Sequence, residues 1–414
     1  MNYYLLIILL IVVFDYSWSQ YLAYRNRKRM SYTIPVQLKG IYDESEYKRQ
    51  QAYQKTSSRF GLYTSTLTFI VMLTALILGL FGWLDEVLRQ YLSSETLLTL
   101  AFFGVIYIVN EIIFLPFSYY STFTIESKFG FNKSTKATFW LDQIKGAALT
   151  ILLGGTILAL IVWLYNNLGD NAWLYAWVVI TAFSLFMTLF YSNIIVPLFN
   201  KQKPLEEGEL RSAIQDFAQK AGFEVKNIYV MDASKRSTKA NAYFTGFGAK
   251  KRIVLYDTLI NDLCTDEIVA VLAHEIGHYK KKHTLQGMVI SVLYTGIMLF
   301  LLSLFLDNES IAHALGGQYP SFHLGLIAFS LLFSPISLIL GVFSSLFSRH
   351  NEYQADAYAA GFGLAPFLIN GLKKLSVNSL SNLNPDPLFV FFHYSHPTLL
   401  QRIEALDKAR LELS

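Results

Sequence analysis

A single cysteine, Cys264, stands in 414 residues, so no disulfide can form within the chain and a small stapled secreted domain is excluded. Charge is scarce as well. Asp, Glu, Lys and Arg together make up 15% of the residues while hydrophobic residues make up 53%. An ordinary soluble chain carries about 25% charged residues, and this deficit of polar surface points to contact with lipid. The net charge of +4 is too small to imply a nucleic-acid partner. Histidine is rare too, eight in all, which makes any close pairing of two of them informative.

What the chain has in quantity is long apolar runs. Seven approach the ~20 residues that a helix needs to cross a bilayer, at 3–22, 61–83, 97–118, 146–165, 172–193, 286–306 and 323–347. The first has no basic residue ahead of it and no small-residue cleavage site behind it, so it is read as a retained anchor and not as a signal peptide. Lys and Arg number 9 in 23–60, 1 in 84–96, 4 in 119–145, none in 166–171, 14 in 194–285, none in 307–322 and 6 in 348–414. Alternate loops thus hold 33 of the 34, and the positive-inside rule puts those loops in the cytoplasm and the N-terminus outside. Asn110 and Glu111 interrupt the third run. A carboxylate at membrane depth faces either water or a partner such as Lys145.

Within the most basic loop lies VLAHEIGHYKKKH, Val271 to His283. Thr265 is the expected N-cap of its helix, Asp266 and Glu267 fill the first turn, and Ile268, Val271, Leu272 and Tyr279 share a side. His274 and His278, four apart, share another face and can bind one ion. Glu275, about 100° round the helix, lies beside the open position where a water would sit. Zinc suits two neutral imidazoles, and a neighbouring carboxylate can take the proton of an attacking water.

A third ligand is needed. After the last span, SRHNEYQADAYAAGFG places Glu352 and Asp356 four apart on a helix continuing that span. Glu352 completes a His2Glu set, and Asp356 accepts the remaining ring N–H of a ligand histidine. The loop itself reads as mixed α+β. A helix is expected over 207–221, strands over 226–231 and 251–256, and an edge strand at Asn241-Ala242-Tyr243-Phe244 leading to Gly246 and Gly248. A peptide could add to that edge as a further strand, or the strand could be one arm of an ordinary hairpin.

The ordered set LKGIYDESEYKRQQAY, TIESKFGFNKST, LDQIKG, PLFNKQKPLEEGEL, NAYFTGFG, VLAHEIGHYK, NEYQADAYA and YSHPTLLQRIEAL, spread over most of the chain, resembles the type I CAAX prenyl endopeptidases. This is the seven-span zinc metalloprotease family of the a-factor converting enzyme and the prelamin A processing protease. The resemblance implies seven transmembrane helices forming a hollow, water-filled barrel, with an α+β zincin-like catalytic domain at its cytoplasmic side. In chain order these are a five-span membrane part (1–200), a catalytic loop (201–285), a transmembrane hairpin (286–347) and a C-terminal catalytic part (348–414). It further implies one zinc ion on His274, His278 and Glu352, with Glu275 as general base and Asp356 behind the ligands. His396 would donate to the oxyanion, a role able to lower the barrier by about 3 kcal/mol, and Asn241, Ala242 and Arg402 would hold substrate main chain. The expected substrate is a peptide or protein, possibly prenylated, met by a monomer in the bilayer. A membrane quality-control metalloprotease and a non-enzymatic metal-binding membrane protein are the alternatives. The compact outer loops favour a bacterial inner membrane, with the endoplasmic reticulum as the alternative.

Overall fold

The computed structural model describes residues 2–31, 33, 34, 36, 39–223, 227–245 and 252–413. Its membrane part is built of α1 (Tyr3–Lys28), α2 (Glu44–Ile77), α3 (Leu80–Arg89), α4 (Glu95–Tyr120), α5 (Lys136–Leu149), α6 (Gly155–Leu168) and α7 (Ala172–Ile194), followed by the short α8 (Val196–Phe199). Polar caps start these helices where hydropathy alone gives no boundary. The side chains of Asn2, Asp43 and Thr135 accept from the backbone N–H groups of Tyr4, Glu46 and Thr138. Single π-helical segments, Ser121–Glu126 after α4 and Thr150–Gly154 between α5 and α6, interrupt the ladders.

Two expectations about these spans change. The second run does not reach residue 83. Gly79 takes φ 62° and ends the span, and Gly82 lies against the backbone of Gly316 too closely for any side chain, so Leu80–Arg89 is a separate helix. The span also starts earlier, at Glu44, because Asp43 caps it. By length and apolarity six helices among the described residues can cross a membrane, since Lys136–Phe199 counts as one 64-residue stretch. Within that stretch Gly169 has φ 56° at a three-residue turn, and Ile161 and Leu164 of α6 share an apolar cluster with Trp173 and Ala176 of α7. The two helices therefore lie side by side. Lys145 donates to the Leu198 carbonyl at 2.7 Å and not to Glu111, which has no ion pair among the described residues.

The second half adds β1 (Gln202–Pro204), α9 (Glu209–Lys220), β2 (Ile228–Met231), β3 (Ala242–Thr245), β4 (Arg252–Tyr256), α10 (Asp257–Asp262) and α11 (Thr265–Lys280). The apolar helices α12 (His283–Ser303) and α14 (Phe322–Ala360) flank the short α13 (Glu309–Ala314), and α15 (Ala365–Asn378), α16 (Pro387–His393) and α17 (Leu399–Leu413) complete the chain. The sheet runs β1-β2-β4-β3, with β2 and β4 parallel and the outer pairs antiparallel. Lys226, Gly246, Gly248 and Lys251, expected in or beside these strands, lie outside the described residues, as does Leu38. One apolar core joins the sheet and α9 to α11, the end of α14, α15 and α17, through Ile253, Leu255, Ile268, Leu272, Ala359 and Leu406. Segments nearly 200 residues apart in sequence thus form one globular unit.

Three turns between helices gather together. Glu95, Gly169, Asp170, Asp307 and Ser321, from the three loops poorest in basic residues, line one cavity of about 410 Å³. Buried Asp85 accepts from His323 there at 2.7 Å and from Arg89 at 2.9 Å.

Candidate metal centre

α11 begins one residue earlier than expected. Cys264 is the N-cap, and Glu267 at the third position reaches back to its N–H at 3.0 Å, a reciprocal arrangement that leaves Thr265 inside the first turn. The helix then crosses α14 at close range because residue 277 is glycine. A methyl group added there would stand 3.0 Å from the Ala355 Cα and 3.1 Å from its carbonyl oxygen. That approach brings the two sequence motifs together.

His274 Nε2 and His278 Nε2 lie 3.2 Å apart. His278 Nε2 is 3.2 Å from Glu352 Oε1, and His274 Nε2 is 3.5 Å from Glu352 Oε2. Donor atoms of these three residues fall within 4.8 Å of one another, the arrangement that can hold an ion. Two tests of fit agree. Zinc bonds of about 2.0–2.1 Å directed tetrahedrally separate two ligand atoms by about 3.3–3.4 Å, close to the spacing seen. Glu352 Oε2 is also buried with no hydrogen-bond partner, a cost that a cation would remove.

Asp356 accepts from His274 Nδ1 at 2.8 Å, which fixes the tautomer with Nε2 free to ligate. Arg402 forks onto Asp356 with bonds of 2.9 and 2.6 Å, and its remaining amino group is 3.6 Å from Glu352. His396 Nε2 stands 3.3 Å from Glu352 Oε1, its side chain 61% exposed and its Nδ1 2.9 Å from the Ser395 hydroxyl. A cavity of about 360 Å³ is lined by Asn241, Ala242, His274, Glu275, His278, Glu352, His396 and Arg402. Asp356 stands behind its wall, against His274. Burial pushes the Glu275 carboxyl above its ordinary range, against the pull of His274 and His278.

β3 is an edge strand, as expected. The Asn241 carbonyl accepts from Tyr256 N–H at 3.1 Å, so by alternation Asn241 and Tyr243 face β4 while Ala242 and Phe244 turn their main-chain groups outward. Sequence reasoning missed how this edge is braced. Arg236, in the loop before it, is forked by Asp142 at 2.7 and 2.8 Å, and Lys239 is held by Glu126 at 2.9 Å and lies over the Phe131 ring at 4.5 Å. Asp142 sits in LDQIKG, and Glu126 and Phe131 in TIESKFGFNKST. Those stretches support the strand, a role that no local pattern announces. Also unforeseen is an apolar wall of Leu368, Leu372 and Leu375 from α15 facing the same cavity.

Two family profiles divide nearly all of the chain between them. "CAAX prenyl protease N-terminal, five membrane helices" matches residues 23–201, and "Peptidase family M48" matches 204–410. The chain belongs to the CAAX prenyl protease 1 family. Its relatives in this family include the CAAX prenyl protease 1 homolog of Oryza sativa subsp. japonica, 38% identical over 98% of each chain. The CAAX prenyl protease 1 of Saccharomyces cerevisiae is 35% identical over 95% of this chain and 93% of its own. The crystal structure of S. mikatae Ste24p has a TM-score of 0.93 at 33% identity, covering 98% of this chain and all of that one. A member of the CAAX prenyl protease 1 family with this architecture is a multi-pass membrane metallopeptidase. Membership implies a metal and a peptide substrate, and it sets aside the non-enzymatic alternative.

Proposed function

We propose that the metal is a single zinc ion held by His274, His278 and Glu352, and that the substrate is a peptide cut near a prenylated C-terminus. The observation that carries this reading is the convergence of the two imidazoles and one carboxylate at 3.2–3.5 Å in a cavity that Glu275 also lines. Zinc so held would supply Lewis acidity toward the scissile carbonyl and toward water. The chain's own residues supply the rest. Glu275, not tied up as a ligand, accepts a proton from the attacking water on a carboxylate oxygen and delivers it to the departing amide nitrogen. His396, at the mouth, donates from Nε2 to the developing oxyanion. The outward main chain of Ala242, with Asn241 and Arg402, aligns the substrate as an added strand. Arg402 also holds Asp356, which in turn orients His274.

Prenyl recognition is carried over from the relatives, which are CAAX prenyl proteases. The lipid-embedded setting and the leucine wall on α15 are compatible with an apolar substrate tail. Seven crossings follow if α6 and α7 are counted as separate legs. Between 6% and 17% of each apolar span is buried, the low value expected when helices leave both a lipid face and a chamber face uncovered. The positive-inside pattern favours the cytoplasmic face for the site, and a monomer in a bacterial inner membrane or the endoplasmic reticulum is the setting. The test is the zinc content of purified protein together with cleavage of a farnesylated C-terminal peptide, with and without chelator. One equivalent of zinc and chelator-sensitive cleavage are expected. Equal cleavage of the unprenylated peptide would remove the prenyl part of the reading and leave the peptidase.

A further inference from the structure

The two candidate ligand histidines are supported in different ways. His274 is backed by the carboxylate of Asp356, whereas His278 Nδ1 lies 3.0 Å from the Nδ1 of another histidine, His283. That contact depends on the backbone. Lys282 adopts φ 60° between α11 and α12, and the reversal folds His283, the first residue of α12, back against the last turn of α11. His283 is buried, with its ring edge-on to His278 at 5.0 Å between centroids. Its other nitrogen, Nε2, is 3.0 Å from Gln354 Oε1, and Gln354 Nε2 is 2.8 Å from His350 Nε2.

The directions of these hydrogen bonds form one consistent set. With Nε2 of His278 turned to the ion, its Nδ1 carries the proton and must donate. His283 Nδ1 is then the acceptor, which places the His283 proton on Nε2, where the Gln354 carbonyl oxygen receives it. The Gln354 amide donates in turn to His350, at the exposed end of the chain. Any other tautomer of His283 would set two N–H groups, or two lone pairs, against each other at one of these contacts.

We propose that His283 is a positioning residue for the metal. It accepts the Nδ1 proton of His278, fixes that ring's tautomer and plane, and is itself fixed by Gln354. The inference rests on the zinc reading above. It extends the role of α14, which presents Glu352 to the ion, Asp356 to His274 and Gln354 to the partner of His278.

The test uses the full-length protein in detergent and zinc alone as the probe, with affinity read by chelator competition and geometry by the visible bands of the cobalt-substituted protein. His283→Ala is expected to weaken zinc by about 10- to 100-fold, as loss of a ligand's hydrogen-bond partner does, and to shift the cobalt bands. His283→Asn keeps an acceptor oxygen near the Nδ1 position and is expected to recover most of that affinity. Gln354→Leu is expected to weaken zinc less than His283→Ala, in the same direction. Wild-type affinity and unchanged bands in His283→Ala would overturn the proposal. So would equal weakness of the Asn and Ala variants, with both melting like wild type, because a space-filling role would then suffice. If His283→Ala fails to fold, the Asn and Leu variants decide: wild-type affinity in Gln354→Leu, or an Asn variant that folds with zinc bound as weakly as a ligand deletion, overturns it. Absence of stoichiometric zinc in the wild type would instead sink the zinc reading itself.

Discussion

Glu275 is the side chain whose loss should separate chemistry from structure. It lines the cavity without contributing a donor to the three-residue cluster, so Glu275→Gln is expected to keep metal and fold while peptidase turnover falls by several orders of magnitude. Zinc analysis beside a cleavage assay checks this, and retained turnover would remove its assignment as base. The proposed ligands should behave differently from their support. Alanine at His274, His278 or Glu352 should each abolish tight zinc binding, while Asp356→Ala should weaken it by about 10- to 100-fold because it removes only the acceptor behind His274. Normal zinc binding by Glu352→Ala would transfer the third position to another residue, Asp356 or His396.

At the scale of elements, the site exists because α11 and α14 cross closely. Gly277→Ala should push Ala355 away, since the added methyl meets its backbone at 3.0 Å. Overpacking of this kind costs about 1–3 kcal/mol, and the displacement separates the histidines from Glu352. Lower thermal stability together with weaker zinc is expected, and a variant that melts and binds like wild type would show that the crossing tolerates the methyl. The N-terminus of α11 has its own signature. Burial would raise the Glu267 carboxyl, but hydrogen bonds from Lys374 at 2.7 Å and from the Cys264 N–H at 3.0 Å outweigh it and hold the group below its ordinary value. A depressed acid stabilises the fold above its unfolded-state pKa and loses that contribution as pH falls through the folded one. The stability gap between wild type and Glu267→Gln should therefore be full at neutral pH and close below about pH 4. A gap that persists unchanged at lower pH would mean that Glu267 acts by packing alone.

These elements also show what was legible beforehand. The pairs His274/His278 and Glu352/Asp356 could be read because helical spacing places four-apart residues on one face. The edge strand could be read from the Asn241-Ala242-Tyr243-Phe244 run ahead of the glycines. The second span's end could not, because it is set by Gly79 at φ 62° and by Gly82 against Gly316, contacts between segments more than 230 residues apart. The partnership of His283 with His278 was hidden for a related reason. Residues five apart do not share a helix face, and only the left-handed Lys282 brings them together. The braces Asp142–Arg236 and Glu126–Lys239 were present in the sequence as motifs without a readable purpose, since each joins segments about 100 residues apart.

Across the whole molecule, the geometry requires the site and the outer turns to lie at opposite ends, and α1 measures the separation. Its first turn is tied to the outer group by Asn2, which donates to the Ser310 carbonyl at 2.6 Å, and its last turn to the globular unit by Arg25, 3.1 Å from Asp386. A 26-residue helix rising about 1.5 Å per residue extends about 39 Å, enough to cross the ~30 Å hydrocarbon core. Glu352 can then meet His274 only if α12 and α14 form a hairpin whose turn, around Glu309–Ala314, projects from the face away from the site. Under the proposed reading, Lys and Arg counts of 14 before this hairpin, none in its turn and 6 after it favour the cytoplasm for the site-bearing face. In a Cys264→Ser background, Ser310→Cys should react with an impermeant thiol reagent added to intact cells. Lys408→Cys, whose native side chain is 78% exposed on α17, should react only after the membrane is opened. Labelling of both in intact cells would place α17 on the outer side with the turn. One of α12 and α14 would then fail to cross, and the hairpin that delivers Glu352 to the histidines could not exist.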